Sequence, residues 1–292
     1  MPDADPRLGL LLSVADDELI LGHRHSEWTG WAPHLEEDLA FSSIAQDEMA
    51  HARLLYELAG SSGLTDRSPD ELALGRGPAE YRNAVICERP NGDWGYTVAR
   101  QWLYDLADDV RTVALEASSW KELAEAMRPI RLEERYHLEH GDAWFGRMAS
   151  GSSVTARERL TAGLEQAVGE AMAIFETLPD EDTLVRDGVL PSSNEELLAA
   201  WLERVGKALE EVSLDYVLTK HQRVGEMVPT SSGEAEDVKA LDVPGVERRD
   251  GRWVHVGAFA GEGGRRGRHS DDFQALWEDL TMLYRKVPGA TW

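Results

Sequence analysis

Apolar side chains recur at intervals of three and four residues along most of the chain, up to about residue 228. This spacing places them on one face of an α-helix, so it indicates amphipathic helices rather than strands. Pro129 disturbs one of these helices locally, because proline cannot donate the backbone hydrogen bond. The pattern predicts helices over residues 8–25, 35–59, 97–118, 119–148, 153–178 and 193–227, and a loop over residues 60–81.

The first four predicted helices form two pairs. A short turn containing Gly30 and Pro33 joins the first pair, and the third helix runs directly into the fourth. Consecutive helices with such short connections pack side by side in opposite directions. The sequence therefore predicts two helical hairpins.

The pattern changes after residue 228, where Pro, Gly and Ser accumulate. Residues 252–259 follow the turn-like Arg249-Asp250-Gly251 and predict a short β-ribbon or an extended arm. Residues 270–285 have the spacing of a closing amphipathic helix. No clear linker divides the chain, so we expect an all-α fold with a helical bundle over residues 1–228. Residues 229–292 would add an arm and a closing helix to the same domain.

Composition excludes several classes of function. The formal net charge of −24 argues against a nucleic-acid partner, because phosphates are bound by clustered Lys and Arg. The single cysteine, Cys87, allows neither an internal disulfide nor a cysteine-ligated iron–sulfur cluster. No apolar stretch has the length that spans a bilayer, and no signal peptide is evident. We therefore expect a soluble, cytoplasmic protein with no membrane partner.

Two Glu-x-x-His elements stand out, one in each predicted hairpin. They are Glu48 with His51 and Glu134 with His137. Residues three apart on a helix project from one face, so both side chains can reach the same metal ion. Chance alone would give about one such pair in a chain of this composition, so the spacing needs further support.

That support comes from two isolated carboxylates. In a hairpin that turns near Pro33, the residue level with Glu48 falls near position 18, where Glu18 stands. The separation between Asp105 and Glu134 along the chain is about the same as that between Glu18 and Glu48. Each hairpin thus provides one isolated carboxylate and one Glu-x-x-His, which is the ligand set of ferritin-like di-iron and di-manganese bundles.

The predicted site therefore has six metal ligands, and its mixed oxygen and nitrogen donors suit iron or manganese better than a structural zinc. The ligands are Glu18, Glu48, His51, Asp105, Glu134 and His137. The residues expected to orient the two imidazoles from outside this set are Asp47, Asp108 and Asp109. The carboxylates predicted to be ordinary solvated charges are Glu27, Glu36, Glu37, Asp38 and Glu133.

The most basic segment of this acidic chain lies near its end, at Arg265, Arg266 and Arg268. The surrounding glycines lack the spacing of a phosphate-binding loop, so a mobile arm is the first interpretation. The alternative is contact with a phosphate-bearing substrate or an acidic partner. These three arginines are the candidate cofactor-binding residues.

Several strings of residues resemble one known family over nearly the whole chain. They are Ser-Glu-Trp-Thr-Gly-Trp-Ala-Pro at 26–33, Arg-Pro-Asn-Gly-Asp-Trp at 89–94, Ala-Arg-Gln-Trp-Leu-Tyr-Asp at 99–105, Arg-Tyr-His at 135–137, Gly-Arg-Arg-Gly-Arg-His at 264–269 and Val-Pro-Gly-Ala-Thr-Trp at 287–292. The chain resembles the C subunits of ring-1,2-phenylacetyl-CoA epoxidases, which belong to the bacterial multicomponent di-iron monooxygenases of aerobic phenylacetate degradation.

The resemblance implies a ferritin-like four-helix bundle that works with other oxygenase subunits. In that family the A subunit is catalytic, and the C subunit is usually a structural partner that has lost most metal ligands. This chain departs from the pattern because it keeps both Glu-x-x-His elements. We therefore expect it to hold two iron ions, or manganese as the alternative, with Glu18, Glu48 and Glu134 as catalytic carboxylates.

The implied reaction activates dioxygen and inserts one oxygen atom into the aromatic ring of an acyl-CoA substrate. The chain contains no flavin or nicotinamide fingerprint and too few cysteines for a cluster, so electrons must come from a separate reductase. A homo- or hetero-oligomer is expected. Two alternatives stay open: a non-catalytic partner of the catalytic subunit, or a stand-alone di-metal protein of the manganese catalase or ferroxidase type.

Overall fold

The structure is a computed structural model that describes residues 5–212, 214, 245–249 and 252–288. The described residues form an all-α, ferritin-like fold with one small β-ribbon, as predicted. The helix predicted over residues 193–227 is too long, because it ends at Glu211 with Val212 as its cap. Residues 215–227 and the predicted boundary between residues 228 and 229 lie outside the described residues. The division into a bundle and a C-terminal appendage therefore stays a prediction.

Two helical hairpins form the bundle, and local sequence explains where their helices begin. Helix α1 starts where the Asp5 side chain accepts a hydrogen bond from the backbone of Arg7, and the Asp93 side chain caps α5 in the same way. The fourth helix of the bundle continues through Pro129 without interruption. The bundle helices are α1 (Pro6–Ser26), α2 (Leu35–Ser61), α5 (Trp94–Leu115) and α6 (Lys121–Ser150).

Shorter helices connect the hairpins and cover the bundle. They are α3 (Pro69–Leu74), α4 (Val85–Glu88), α7 (Val154–Ala171), α8 (Glu181–Arg186), α9 (Asn194–Glu211) and α10 (Asp271–Lys286). Within the described ranges, 3₁₀ turns add to them at Pro78–Glu80, Met172–Phe175 and Gly264–Arg266. Strands β1 (Val246–Arg249) and β2 (Arg252–His255) pair antiparallel, with Val246 opposite His255.

The prediction of a plain loop over residues 60–81 is wrong, because α3 and a 3₁₀ turn lie there. Ser68 and Glu71 form a reciprocal capping box, and Pro69 occupies the first helical turn. These local contacts stabilise a helix too short to show an apolar period. The predicted helix over residues 153–178 also ends early, since α7 gives way to a 3₁₀ turn at Met172.

The C-terminal segment packs into the bundle. The Glu88 carboxylate accepts hydrogen bonds from the backbone N–H and hydroxyl of Ser270 at the start of α10. Phe273 contacts the Tyr81 ring edge to face, and the Trp277 indole donates to the backbone carbonyl of Arg76. The closing helix therefore covers the connection between α2 and α5. None of the described helices is both long enough and apolar enough to cross a bilayer.

Candidate metal centre

The four bundle helices bring all six predicted metal ligands into the interior. Each side chain belongs to a residue that is at most 3% exposed. Helix α1 supplies one of them, α2 two, α5 one and α6 two, as the two-hairpin prediction requires. The residues are Glu18 on α1, Glu48 and His51 on α2, Asp105 on α5, and Glu134 and His137 on α6.

Glu134 lies between the two histidines. Its Oε1 is 3.1 Å from Nδ1 of His51 and 3.2 Å from Nδ1 of His137. His51 Nδ1 is also 3.2 Å from Oε2 of Glu18, which comes from α1. The same ring nitrogen of each histidine, Nδ1, therefore faces the buried carboxylates.

The other ring nitrogen of each histidine contacts a carboxylate at the protein surface. His51 Nε2 lies 2.7 Å from Glu133, and His137 Nε2 lies 3.3 Å from Asp47. Each outer carboxylate stands immediately before a buried glutamate and contacts the histidine of the opposite helix. A carboxylate that accepts a hydrogen bond from Nε2–H fixes the imidazole so that the lone pair of Nδ1 can bind a metal ion. This arrangement is common around metal-bound histidines.

This arrangement corrects part of the sequence analysis. Glu133 and Glu37 were expected to be only solvated charges, and both predictions are wrong. The Glu133 side chain is 49% exposed but bonds His51, and Glu37 is buried and bonds His140. Asp47 contacts His137 as expected. Asp108 and Asp109 do not orient the imidazoles, since they form ion pairs with Arg111 and Arg204.

Two further buried side chains contact the cluster and were missed from sequence. His25 Nδ1 lies 2.9 Å from Oε2 of Glu48, and the Tyr104 hydroxyl donates a hydrogen bond of 2.8 Å to Glu18. His25 stands seven residues after Glu18, two helical turns along the same face, so spacing could have identified it. Tyr104 had no such signal, because adjacent residues on a helix point in different directions.

Burial and mutual repulsion dominate the electrostatics of three carboxyl groups. Burial raises the pKa of Glu48 well above its ordinary value, and the charge of Glu18 adds to the effect. Burial and the charge of Glu134 likewise raise the pKa of Asp105 and of Glu18. These groups lack enough nearby positive charge to hold their ionised forms.

The histidines compensate only Glu134. Burial alone would raise the pKa of Glu134, but the charge of His137 outweighs it and holds the pKa at about 2. Burial alone would lower the pKa values of both histidines. Hydrogen bonds to Glu134 and Glu18 instead raise the pKa of His51 to about 12. The charge of Glu134 raises the pKa of His137 to about 10. Negative charge exceeds positive charge in the cluster when all four carboxylates are ionised.

The cluster fits a divalent cation. Atoms of Glu18, His51 and Glu134 that can serve as metal ligands all lie within 4.8 Å of one another. Within the described part of the chain, Oδ2 of Asp105 is buried without a hydrogen-bond partner. A bound cation would give this oxygen a partner and would stabilise the ionised forms of the buried carboxylates. The carboxylate–imidazole donor set suits iron or manganese.

Two glycines make room for the carboxylates. A Cβ at Gly141 would lie 2.9 Å from Oδ2 of Asp105, and one at Gly22 would lie 3.1 Å from the Cβ of Glu48. A side chain at either position would press on a proposed ligand residue of the neighbouring helix, on the carboxylate of Asp105 or on the Cβ of Glu48. The close packing of α1 on α2 and of α5 on α6 at this level therefore depends on glycine.

We expect Gly141→Ala to displace Asp105 and to cost about 1–3 kcal/mol of stability through overpacking. Gly146→Ala is the matched control on the same helix, because a Cβ there meets no atom within 4 Å. It should stabilise the protein by up to about 1 kcal/mol through helix propensity. Thermal unfolding of both variants measures the difference, and equal melting temperatures would contradict this account of Gly141.

The structure places the three candidate phosphate-binding arginines in different environments. The Arg265 side chain is 1% exposed, and its guanidinium donates to Asp17 and to the backbone carbonyls of Ser13, Arg82 and Ile174. Arg266 pairs with Glu176 and is partly exposed, and Arg268 reaches the surface. Arg265 is thus engaged inside the protein, and only the other two are open to solvent.

Fold and site together define a ferritin-like four-helix bundle with a buried cluster of four carboxylates and two histidines. The sequence profile of the family described as "Phenylacetic acid catabolic protein" matches residues 2–226. The chain belongs to this family. It is also 26% identical over 289 residues to the C subunit of the 1,2-phenylacetyl-CoA epoxidase of Escherichia coli (strain K12), covering 96% of this chain and 97% of that protein.

Proposed function

We propose that the chain is an oxygenase subunit of phenylacetate catabolism that holds its own pair of iron ions and takes part in epoxidation of the phenylacetyl-CoA ring. Family membership supports the role in phenylacetate catabolism. The observation that supports a metal-bearing role is the orientation of the two histidines. Both direct Nδ1 toward Glu134, while Glu133 and Asp47 hold their Nε2 atoms.

In this proposal each part of the cluster has a task. The ligands would be Glu18, Glu48, His51, Asp105, Glu134 and His137, with manganese as the alternative metal. Iron held there would supply the reduction of dioxygen. The outer carboxylates keep both imidazoles oriented with Nδ1 free, and Tyr104 holds one oxygen of Glu18 by donating a hydrogen bond.

Other residues of the bundle would keep water away from the cluster. Phe41 and Ile44 on α2 and Ile130 on α6 are buried on the same helices as the ligands. An apolar surround protects reactive intermediates and strengthens the electrostatic interactions inside it. The carboxylates Glu18, Glu48 and Glu134 are the proposed catalytic groups.

The proposal needs partners. Cys87 is the chain's single cysteine and is buried, so the electrons would come from a separate reductase. The relative in Escherichia coli is one subunit of its epoxidase, which supports assembly with other oxygenase subunits. An acyl-CoA phosphate would have to contact Arg266 or Arg268 if it contacts this segment, because Arg265 is engaged internally.

Metal content per chain is the first test. We expect about two iron ions per chain after anaerobic reconstitution, and then oxygen consumption that depends on phenylacetyl-CoA in the presence of a reductase and partner subunits. A chain that stays metal-free after reconstitution with iron and with manganese would support the structural-partner alternative. Peroxide disproportionation or ferroxidase activity without any acyl-CoA would support the stand-alone alternative.

A further inference from the structure

The six proposed ligands are not equally assembled. Glu18, His51 and Glu134 have ligand atoms within 4.8 Å of one another. The remaining three do not form such a group among the described residues: Glu48 is engaged by a histidine outside the set, and Asp105 keeps one oxygen without a partner. A first cation would bind ligand atoms that already lie close together, whereas a second cation would require its ligand side chains to move.

The histidine that engages Glu48 is His25, which is completely buried on α1. Its Nδ1 lies 2.9 Å from Oε2 of Glu48, and its Nε2 has no hydrogen-bond partner in the described structure. The Phe41 ring packs edge-on against the imidazole at 5.2 Å between centroids. This packing holds the ring in place, so His25 restrains one oxygen of Glu48 and leaves the other available.

We propose that the two metal ions bind in order, the first at Glu18, His51 and Glu134, and that His25 is a positioning residue that sets the affinity for the second by orienting Glu48. This inference rests on the proposed di-metal function. Its physical basis is that donors already in place need no rearrangement, whereas a restrained carboxylate loses less freedom on binding than a free one.

Cobalt(II) titration of the metal-free full-length chain tests the order of binding. Visible absorption reports the coordination of each ion, and calorimetry reports the affinities. We expect two separate steps, with the first ion bound at least about 10-fold more tightly than the second. Loss of an outer hydrogen-bond partner commonly weakens a metal site by about 10–100-fold, which sets the scale for the variants.

His25→Leu should weaken only the second step, by about 10–100-fold, and leave the first unchanged. If His25 had a merely structural role, its replacement would weaken the affinity of both steps together. His25→Asn should restore much of the second step, because its amide N–H can take the place of the Nδ1 donor. If the leucine variant does not fold, the asparagine variant and the two-step titration of the unaltered chain still decide the question.

His140→Leu is the matched control. His140 also packs against Phe41, at 5.8 Å between centroids, but it bonds Glu37 instead of Glu48. Both cobalt steps should therefore stay as they are. Two ions bound with equal affinity would overturn the proposed order. An absent effect of His25→Leu, or equal effects on both steps, would overturn the positioning role of His25, and either result would leave the di-metal function standing. Absence of cobalt binding in the unaltered chain would overturn both.

Discussion

Replacing Arg265 by leucine is expected to lower the free energy of unfolding by about 3–5 kcal/mol, because it leaves a buried carboxylate without its partner. Both terminal nitrogens of Arg265 donate to Asp17 at 2.8 Å, and these two side chains are at most 1% exposed. Thermal and denaturant unfolding measure the loss. A variant as stable as the unaltered chain would contradict this role.

The large effect follows from the position of Asp17. Burial alone would raise its pKa, but the charges of Arg265 and Arg111 outweigh that effect and keep the pKa below its ordinary value. Asp17 therefore stays ionised, and removing Arg265 takes away one of the two cations that compensate its burial. Arg111 also donates to Tyr104, which in turn bonds Glu18 of the cluster.

Arg268→Leu provides the control for this prediction. Arg268 lies three residues further along the same segment but reaches the surface. Its replacement should change the free energy of unfolding by no more than about 0.5 kcal/mol. Comparable destabilisation by both substitutions would show that the segment tolerates no change, and would remove the specific role assigned to the buried pair.

The second large effect is expected at Glu134. Glu134→Ala should abolish binding of both metal ions while helical content, measured by circular dichroism, persists. Its carboxylate lies within 3.2 Å of Nδ1 of both His51 and His137, so its loss removes a donor of the assembled group and the carboxylate that both imidazoles face. Elemental analysis after reconstitution provides the measurement. Unchanged iron content in Glu134→Ala and in Glu48→Ala would refute the six-ligand assignment.

Glu133→Ala is the neighbouring control, and it should give a graded result. This residue contacts only the outer nitrogen of His51, so its removal leaves all six donors present. Metal affinity should fall by about 10–100-fold rather than vanish. Equal losses in the Glu133 and Glu134 variants would mean that the two carboxylates cannot be separated into an outer and an inner group.

The local pattern of apolar residues was sufficient to predict the long helices of the two hairpins. The predicted ends of the two hairpins differ from the observed ends by a few residues, since apolar spacing and capping residues such as Asp5 act within a turn or two. The same reasoning did not predict the short helices. A helix of six residues such as α3 depends on its capping box and on packing rather than on a repeating apolar face.

Local spacing likewise predicted some residues of the candidate site and not others. Glu18 and Asp105 could be matched to the Glu-x-x-His pairs because antiparallel helices bring residues at equal distances from a turn to the same level. Their role as ligands stays a prediction, although the structure buries all six together. Sequence reasoning misjudged Glu133 and Arg265, because a surface glutamate and a glycine-flanked arginine show nothing of what lies opposite them.

The sequence by itself determined the all-α class, the two hairpins and the level at which six potential ligands meet. These features follow from the helical period, which each stretch of chain expresses locally. Only the tertiary structure decided that Arg265 reaches Asp17 across almost the whole length of the chain, and that His25, Tyr104, Asp47 and Glu133 surround the cluster. Such contacts depend on how the helices pack against one another, which no local pattern specifies.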